Sequence, residues 1–267
     1  MLFFNSNHVN QEIYENIECW FINYTKHFYS KKEEIQLNLD LQKNHSFNTV
    51  EIISDLSTLF EFNETDTLTA KAIALLHDIG RFIQLSKFGT FAESDQLNHC
   101  DLGISILEKE NVLSDLNEDT IAIILECIRF HDIEELPKSI NKNAMDYLKI
   151  LRDADRIDVL NIVSNYYSEC KIGTNKRLEL ELSNKPEISQ KVYKSILAEK
   201  VVNKKDINSI NELKIHQMSW VFDLNYQMSF QIVSQKNYLK KIYESLPKKD
   251  EVIDMYRQMK IYLENNL

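Results

Sequence analysis

The chain has 267 residues and carries 31 Lys and Arg against 41 Asp and Glu, which gives a formal charge of −10. Its 43% hydrophobic and 27% charged residues are typical of a globular protein with enough chain to bury a core. The acidic balance argues against stable binding of nucleic acid, because non-specific nucleic-acid binders present a basic surface.

Glycine and proline are scarce, and this scarcity predicts a helical protein. The chain has four glycines and three prolines, whereas the two types together average about 12% of residues. Sandwiches and barrels need many more turn residues, so we expect an all-α fold. The glycines also lie too far apart for G-x-G-x-x-G or G-x-x-x-x-G-K-[ST], which excludes a Rossmann or P-loop nucleotide site.

The cysteines and the apolar segments indicate a cytoplasmic protein. No C-x-x-C pair occurs, so the cysteines are expected to be reduced and mostly buried: Cys19, Cys100, Cys127 and Cys170. The first residues, Met-Leu-Phe-Phe-Asn, lack the basic region and apolar core of a signal peptide. Apolar runs such as 121–125 are far shorter than the ~20 residues of a membrane span, so no membrane association is expected.

Apolar periodicity predicts the first helices in chain order. Residues 1–40 are predicted as aromatic-rich helical pieces with a charged interruption at 31–34, and a helix follows over 45–60. The next helix is predicted over 66–79, with Asn63 as its cap and Gly80 just past its end.

The remaining chain is predicted to be helical apart from two segments. Residues 80–98 lack a clear period and are expected to form a long loop, which in a compact domain is often functional. The alternation of charged residues and leucine over 177–182 suits either a short strand or an exposed helical turn. Helices are predicted over 101–110, 119–131, 143–168 and, as a helical pattern with several segments, 187–265.

Metal-binding residue types occur at the ends of these helices. His77 and Asp78 are adjacent at the end of an apolar stripe, and Asp155 lies within an otherwise apolar helix. A lone buried carboxylate is costly, so each must be paired or must bind a cation. Imidazole and carboxylate groups are ligands for Mn, Fe, Ni, Co or Zn.

Asp153 competes with Asp155 for the same ligand position. Two helical residues two apart point about 200° from each other, so only one of these side chains can point into the site. We favour Asp155 and assign Asp153 to the helix surface or a salt bridge.

The order of these residues resembles the signature of the HD superfamily of metal-dependent phosphohydrolases. The closest wording is Ala-Leu-Leu-His-Asp-Ile-Gly-Arg over 74–81 and Asp-Ala-Asp-Arg-Ile-Asp over 153–158, preceded by His45. The resemblance covers about 45–165 and implies an HD-domain helical bundle with additional C-terminal helices. The expected organisation is an N-terminal segment packing on the core, an HD core and a C-terminal extension: 1–44, 45–170 and 171–267.

The resemblance also implies the ligands. The first metal would be bound by His45, His77, Asp78 and Asp155. In binuclear relatives two further histidines hold a second metal, and His99 and His131 match them, with Asp78 bridging. A mononuclear site would instead leave these two histidines beside the ligands. The expected cofactor is a divalent transition metal, two per chain: Mn, Fe, Ni or Co, with Mg also allowed.

Family members that act on phosphates carry basic residues at the positions of Arg81 and Arg156. The resemblance therefore implies a catalytic group of Asp78, Arg81, His131 and Arg156, in which the arginines bind phosphate oxygens as bidentate forks. Arg81 also suits a simple helix C-terminal charge. His131 or a water bound to the metal could protonate the leaving group. The chain lacks the Gly-Tyr-Pro motif of cyclic-di-GMP-cleaving relatives and lacks the Glu that one nucleotidase branch has three residues after the Asp.

The function implied by the resemblance is hydrolysis of a phosphomonoester or phosphodiester, with a nucleotide as the expected small phosphorylated substrate. A water activated by the metals would attack phosphorus in line. Two alternatives remain open, since the same ligand set occurs in HD-type di-iron oxygenases and a nucleotide-sensing module would bind without hydrolysis. The aromatic-rich C-terminal helices are expected to form core or the interface of a homodimer.

Overall fold

The structure is a computed structural model that describes residues 7–58, 62–93, 97–169, 173 and 175–267. Residue contacts divide the chain into two compact units, Met1–Asp155 and Arg156–Leu267. The regular elements in the described ranges are all helices, which confirms the predicted all-α class. None of the described helices is long and apolar enough to cross a membrane. The predicted boundary at 170/171 falls on residues outside the described ranges.

The helices of the first unit are, in chain order, α1 (Gln11–Lys26), α2 (Glu33–Ser57), α3 (Glu64–Leu76), α4 (Ile79–Ile83), α5 (His99–Lys109), α6 (Glu118–Phe130) and the first part of α7 (Lys142–Ser168). The second unit contains the rest of α7, followed by α8 (Gln190–Leu197), α9 (Ile210–Ser219), α10 (Gln227–Gln235), α11 (Tyr238–Glu244) and α12 (Asp250–Asn265).

Helix α3 is the centre of the first unit. It packs against α1, α2 and α6, and for this reason all of its residues from Ala72 to Leu76 are apolar and buried, rather than one stripe of them. Ala72, Leu75 and Leu76 have no solvent-exposed surface. Its start is the predicted one, because Asn63 and Asp66 form a reciprocal capping box. The helix therefore carries the pair that follows it, His77 and Asp78, into the interior of the unit.

Helix α2 is longer than the sequence predicted. It begins at Glu33, well before the predicted start at His45. The charged segment 31–34 was interpreted as an interruption, but Glu33 and Glu34 occupy the first turn of α2, where the helix dipole favours acidic residues. The predicted end of this helix, over 59–60, lies outside the described residues.

The expected loop over 80–98 is helical over 80–88, so that part of the prediction was wrong, whereas the described residues 89–93 and 97–98 lie outside the helices. After α4, a π-helical turn covers Gln84–Phe88 and ends at Gly89, which adopts a left-handed φ of 69°. Ile79, Phe82 and Leu85 are buried at steps of three residues. This apolar stripe is too short to stand out from its polar neighbours. Residues 94–96 of the predicted loop lie outside the described ranges.

Gly80 has a different role from the one predicted. It lies inside α4 rather than just beyond α3, and its role is to let α4 and α5 cross in close contact. A Cβ added at Gly80 would lie 2.0 Å from the backbone oxygen of His99 and 2.8 Å from the nitrogen of Gly103. No side chain fits in that space, so the glycine sets how closely His99 approaches the end of α3.

The second unit is built around α9, which is buried along its whole length. Its buried lysine has partners within this unit. Lys214 Nζ donates to the carbonyl of Ser245 at 3.1 Å and lies 4.6 Å from the centre of the Tyr167 ring. Residues 177–182, expected as a strand or helical turn, form irregular turns in which Leu180 and Glu181 have φ of 50° and 58°.

The cysteines are partly as expected. Cys100 and Cys127 are buried free thiols, whereas Cys19 is exposed. Cys170 lies outside the described residues.

Candidate metal centre

Six side chains of the first unit converge at the end of α3. Two histidines are the C-cap residues of α3 and α6, one histidine is the first residue of α5, and one histidine lies in the middle of α2. One aspartate lies between α3 and α4, and the other is on α7. These are the predicted ligands His45, His77, Asp78, His99, His131 and Asp155.

The first half-site consists of His45, His77, Asp155 and one oxygen of Asp78. His45 Nε2 lies 3.1 Å from Asp155 Oδ1 and 3.3 Å from His77 Nε2. Asp78 Oδ2 lies 3.9 Å from His45 Nε2 and 3.7 Å from His77 Nε2. The four donor atoms therefore surround one small volume.

The second half-site consists of His99, His131 and the other oxygen of Asp78. His99 Nε2 and His131 Nε2 are 3.2 Å apart. Asp78 Oδ1 lies 3.1 Å from the first and 3.5 Å from the second. Asp78 therefore presents one oxygen to each pair of histidines, as the predicted bridging role requires.

These separations suit atoms that share a metal ion. Two nitrogen or oxygen ligands ~2.1 Å from one ion, at tetrahedral or octahedral angles, lie roughly 3.0–3.4 Å apart. Several of the distances in both half-sites are within or close to this range. The donor set, imidazole plus carboxylate, is the one that Mn, Fe, Co, Ni and Zn bind.

Hydrogen bonds orient three of the imidazole rings. His77 Nδ1 lies 2.7 Å from the carbonyl of Ala74, and His131 Nδ1 lies 2.8 Å from the carbonyl of Ile128. A carbonyl can only accept, so both Nδ1 atoms donate and both Nε2 atoms face the centre. His99 Nδ1 donates in the same way to the carboxylate of Glu93. Orientation of a ligating ring by a bond from its other nitrogen is the rule at metal sites.

The buried carboxylate of Asp78 needs a positive charge beside it. Asp78 Oδ1 is buried and has no hydrogen-bond partner among the described residues. Burial would raise the pKa of Asp78, but the charge interactions with the nearby His77 and His99 hold it well below its usual range. An ionised, buried oxygen next to the Nε2 atoms of His99 and His131 requires a cation. The residues present therefore fit a metal pair.

The structure distinguishes between the two aspartates of α7 that compete for the ligand position. Asp155 Oδ1 lies with the first half-site, and bonds from His45 and His77 lower its pKa well below the usual range although burial opposes this. Asp153 is fully buried, so it does not lie on the helix surface.

Arg81 lies at the edge of the centre. Its Nη1 donates to Gln84 Oε1 at 2.9 Å and to the carbonyl of Phe91 at 3.1 Å. Its Nε is 3.7 Å from Asp78 Oδ1, and its Nη2 is 3.6 Å from Asp132 Oδ2. In the described ranges no acceptor lies within hydrogen-bonding distance of Nε or Nη2, so the edge that these two donors form is available for hydrogen bonds, although it faces the carboxylates of Asp78 and Asp132.

Arg156 has a partner in the second unit. It is buried, its Nη1 donates to the backbone oxygen of Asp223 at 2.9 Å, and it forms an ion pair with the Asp223 carboxylate. Its predicted phosphate contact remains a prediction.

Three residues near the ligands were not predicted. Gln42 Nε2 donates to Asp78 Oδ2 at 2.9 Å, and its position three residues before His45 on α2 was a usable signal. Cys100 Sγ lies 3.4 Å from His99 Nε2, and adjacency in the chain was again a signal. Glu93 has no periodic relation to His99, so no sequence pattern indicated it.

Comparison with known proteins supports this assignment. The family model for the HD domain matches residues 43–160, a segment that contains all six converging side chains. No curated protein and no solved structure is significantly similar to the chain.

Proposed function

We propose that the protein is a binuclear phosphohydrolase, because residues 43–160 match the model of the HD domain, a domain typical of a metal-dependent hydrolase superfamily. Its substrate would be a small phosphomonoester or phosphodiester, with nucleotides as the first class to test. When bound at such a centre, two divalent ions supply an activated water nucleophile and offset charge on the phosphoryl oxygens.

The observation that carries the proposal is the available edge of Arg81. Its Nε lies 3.7 Å from Asp78 Oδ1, the oxygen that belongs to the second half-site, and its Nη2 lies 3.6 Å from Asp132 Oδ2. A phosphate bound bidentately at this edge would have its phosphorus beside the metal centre. The side chain is 15% exposed, so its environment strengthens charge-assisted bonds while still admitting a ligand.

We assign His131 the role of a metal ligand only. Its Nδ1 donates to the carbonyl of Ile128, and its Nε2 faces Asp78 Oδ1. A ring engaged through both nitrogens has none left to protonate a leaving group. Arg156 remains a proposed phosphate contact that needs its own kinetic test, because its guanidinium already binds Asp223.

The test is a phosphate-release screen. The metal-free protein is loaded separately with Mn, Co, Ni, Fe and Mg and is offered nucleotides and simple phosphoesters, with and without oxygen. We expect oxygen-independent phosphate release. Turnover that requires oxygen would favour a di-iron oxygenase, and nucleotide binding without any hydrolysis would favour a sensing module.

The contribution of Arg81 is tested with three variants. Arg81→Gln should lower kcat/KM by about 10²-fold, which is typical for loss of one preorganised donor, while leaving in place the ion held by His45, His77 and Asp155. Arg81→Lys should restore part of the loss, since it keeps the charge and loses the fork. Arg129→Gln, an exposed arginine on α6, is the matched control. Loss of the ion held by His45, His77 and Asp155 in Arg81→Gln, or wild-type kinetics, would contradict the clamp.

A further inference from the structure

Glu93 makes two bonds to one of the candidate ligands. Its carboxylate accepts the Nδ1–H of His99 and also lies 3.3 Å from the backbone nitrogen of the same residue. The backbone bond satisfies one of the free N–H groups at the start of α5. The side-chain bond acts on the ring nitrogen opposite the one that faces the centre.

The position of Glu93 is held by side chains from α4 and the π-helical turn. Arg81 Nη1 donates to the carbonyl of Phe91 at 3.1 Å, and Gln84 Nε2 donates to the carbonyl of Ala92 at 3.0 Å. These two side chains are one turn apart and bind successive carbonyls immediately before Glu93. The carboxylate is thus presented to His99 by a fixed backbone.

The partner of His99 differs from the partners of the other oriented rings. His77 and His131 donate their Nδ1–H to neutral backbone carbonyls, whereas His99 donates to a carboxylate. A carboxylate partner makes an imidazole a stronger base and a better metal ligand, and it fixes the ring angle. His99 is therefore expected to be the strongest donor of these three rings.

We propose that Glu93 is a positioning residue that sets the orientation and donor strength of His99 and so controls metal affinity at the second half-site. The inference rests on the metal-binding part of the proposed function. It concerns a residue that acts on the metal centre through the His99 ring nitrogen opposite the one that faces the centre.

The consequence is stepwise metal binding that depends on Glu93. Loss of the carboxylate should weaken the ion held by His99 and His131 by about 10–100-fold, the usual effect of removing such a partner. The ion held by His45, His77 and Asp155 should keep its affinity, because these side chains contact one another at the first half-site, while the Glu93 carboxylate binds His99.

The experiment titrates metal-free protein with Co²⁺ and follows its visible absorption, with equilibrium dialysis and metal analysis in parallel. Glu93→Gln keeps an acceptor oxygen but loses the charge, Glu93→Ala loses both, and Glu93→Asp keeps the charge. We expect the second binding step to weaken least in Glu93→Asp, more in Glu93→Gln and most in Glu93→Ala. Glu108→Gln, the same change at an exposed position of α5, should titrate like the wild type.

A purely structural role predicts a different pattern. If Glu93 only held the backbone of α5, Glu93→Gln would titrate like the wild type. That result, or equal weakening of both ions in Glu93→Ala, would overturn the inference. A wild-type protein that binds a single Co²⁺ would overturn the binuclear centre itself, so the two failures are distinguishable. No substrate is present, so the outcome does not depend on the phosphohydrolase activity.

Discussion

Asp78 links the two half-sites through its two carboxylate oxygens. Oδ2 faces His45 and His77, while Oδ1 faces His99 and His131. Gln42 donates to Oδ2 at 2.9 Å and so fixes the rotation of the carboxylate. Loss of this one group should therefore affect both ions, whereas loss of a histidine should affect one.

This contrast gives a prediction at the scale of single residues. Asp78→Asn should abolish binding of both ions, and His99→Ala or His131→Ala should lower the metal content from two per chain toward one. Activity should fall by orders of magnitude in all three variants, and the double histidine variant should be little worse than either single one, because groups serving one ion act as a unit.

Metal analysis, activity and circular dichroism check this prediction. Folding should survive in each variant, since removing a ligand also removes part of the need for compensating charge. Asp119→Asn, an exposed aspartate of α6, is the control. Single histidine variants that retain two ions would contradict the assignment of the second half-site.

At the scale of elements, the crossing of α4 and α5 brings His99 to Asp78. The crossing is as close as two glycines allow, because a Cβ on Gly80 would overlap the backbone of His99. A Cβ on Gly103 would lie 3.1 Å from Cγ2 of Ile79, which is a side-chain atom and can move. The two positions therefore differ in how much a methyl group costs.

We expect Gly80→Ala to push α5 away from the end of α3 and to weaken the second half-site first. Overpacking of this kind costs about 1–3 kcal/mol of stability, and more when backbone must move. Gly103→Ala is the matched control and should have the smaller effect. Metal content and the thermal unfolding midpoint are the measurements. Equal losses in the two variants would show that the crossing does not set the site.

At the scale of the whole molecule, metal binding should be coupled to proton release. Burial and Arg81 oppose protonation of His99, but Asp78 and Cys100 outweigh them and raise its pKa to about 10. At neutral pH the metal-free protein therefore keeps a proton on His99, and a metal must displace it. The apparent metal affinity of the second half-site should rise with pH up to about 10 and fall as the solution is acidified.

Calorimetry at pH 7.5 in two buffers of different protonation enthalpy measures this release directly. The observed enthalpy of the second binding step should change with the buffer, and in His99→Ala, which should bind only the first ion, this buffer-dependent step should be lost. A buffer-independent enthalpy in the wild type would contradict the prediction.

Local patterns were sufficient for most elements. The helical class follows from the scarcity of glycine and proline, and the capping box of α3 follows from Asn63 and Asp66. The HD resemblance followed from residue types at helix ends, since His77 and Asp78 are neighbours in the chain. These features depend on contacts within one or two helical turns, and such contacts can be inferred without knowing the packing.

Only the tertiary structure decided how these residues act together. It assigned each oxygen of Asp78 to a different histidine pair and placed Asp155 rather than Asp153 at the first half-site. It also showed that α4 and α5 cross at Gly80. It also brought Glu93 to His99. The physical reason is that these relations depend on the angle and distance between helices. Those quantities are set by side-chain packing over the whole first unit and leave no period in the sequence.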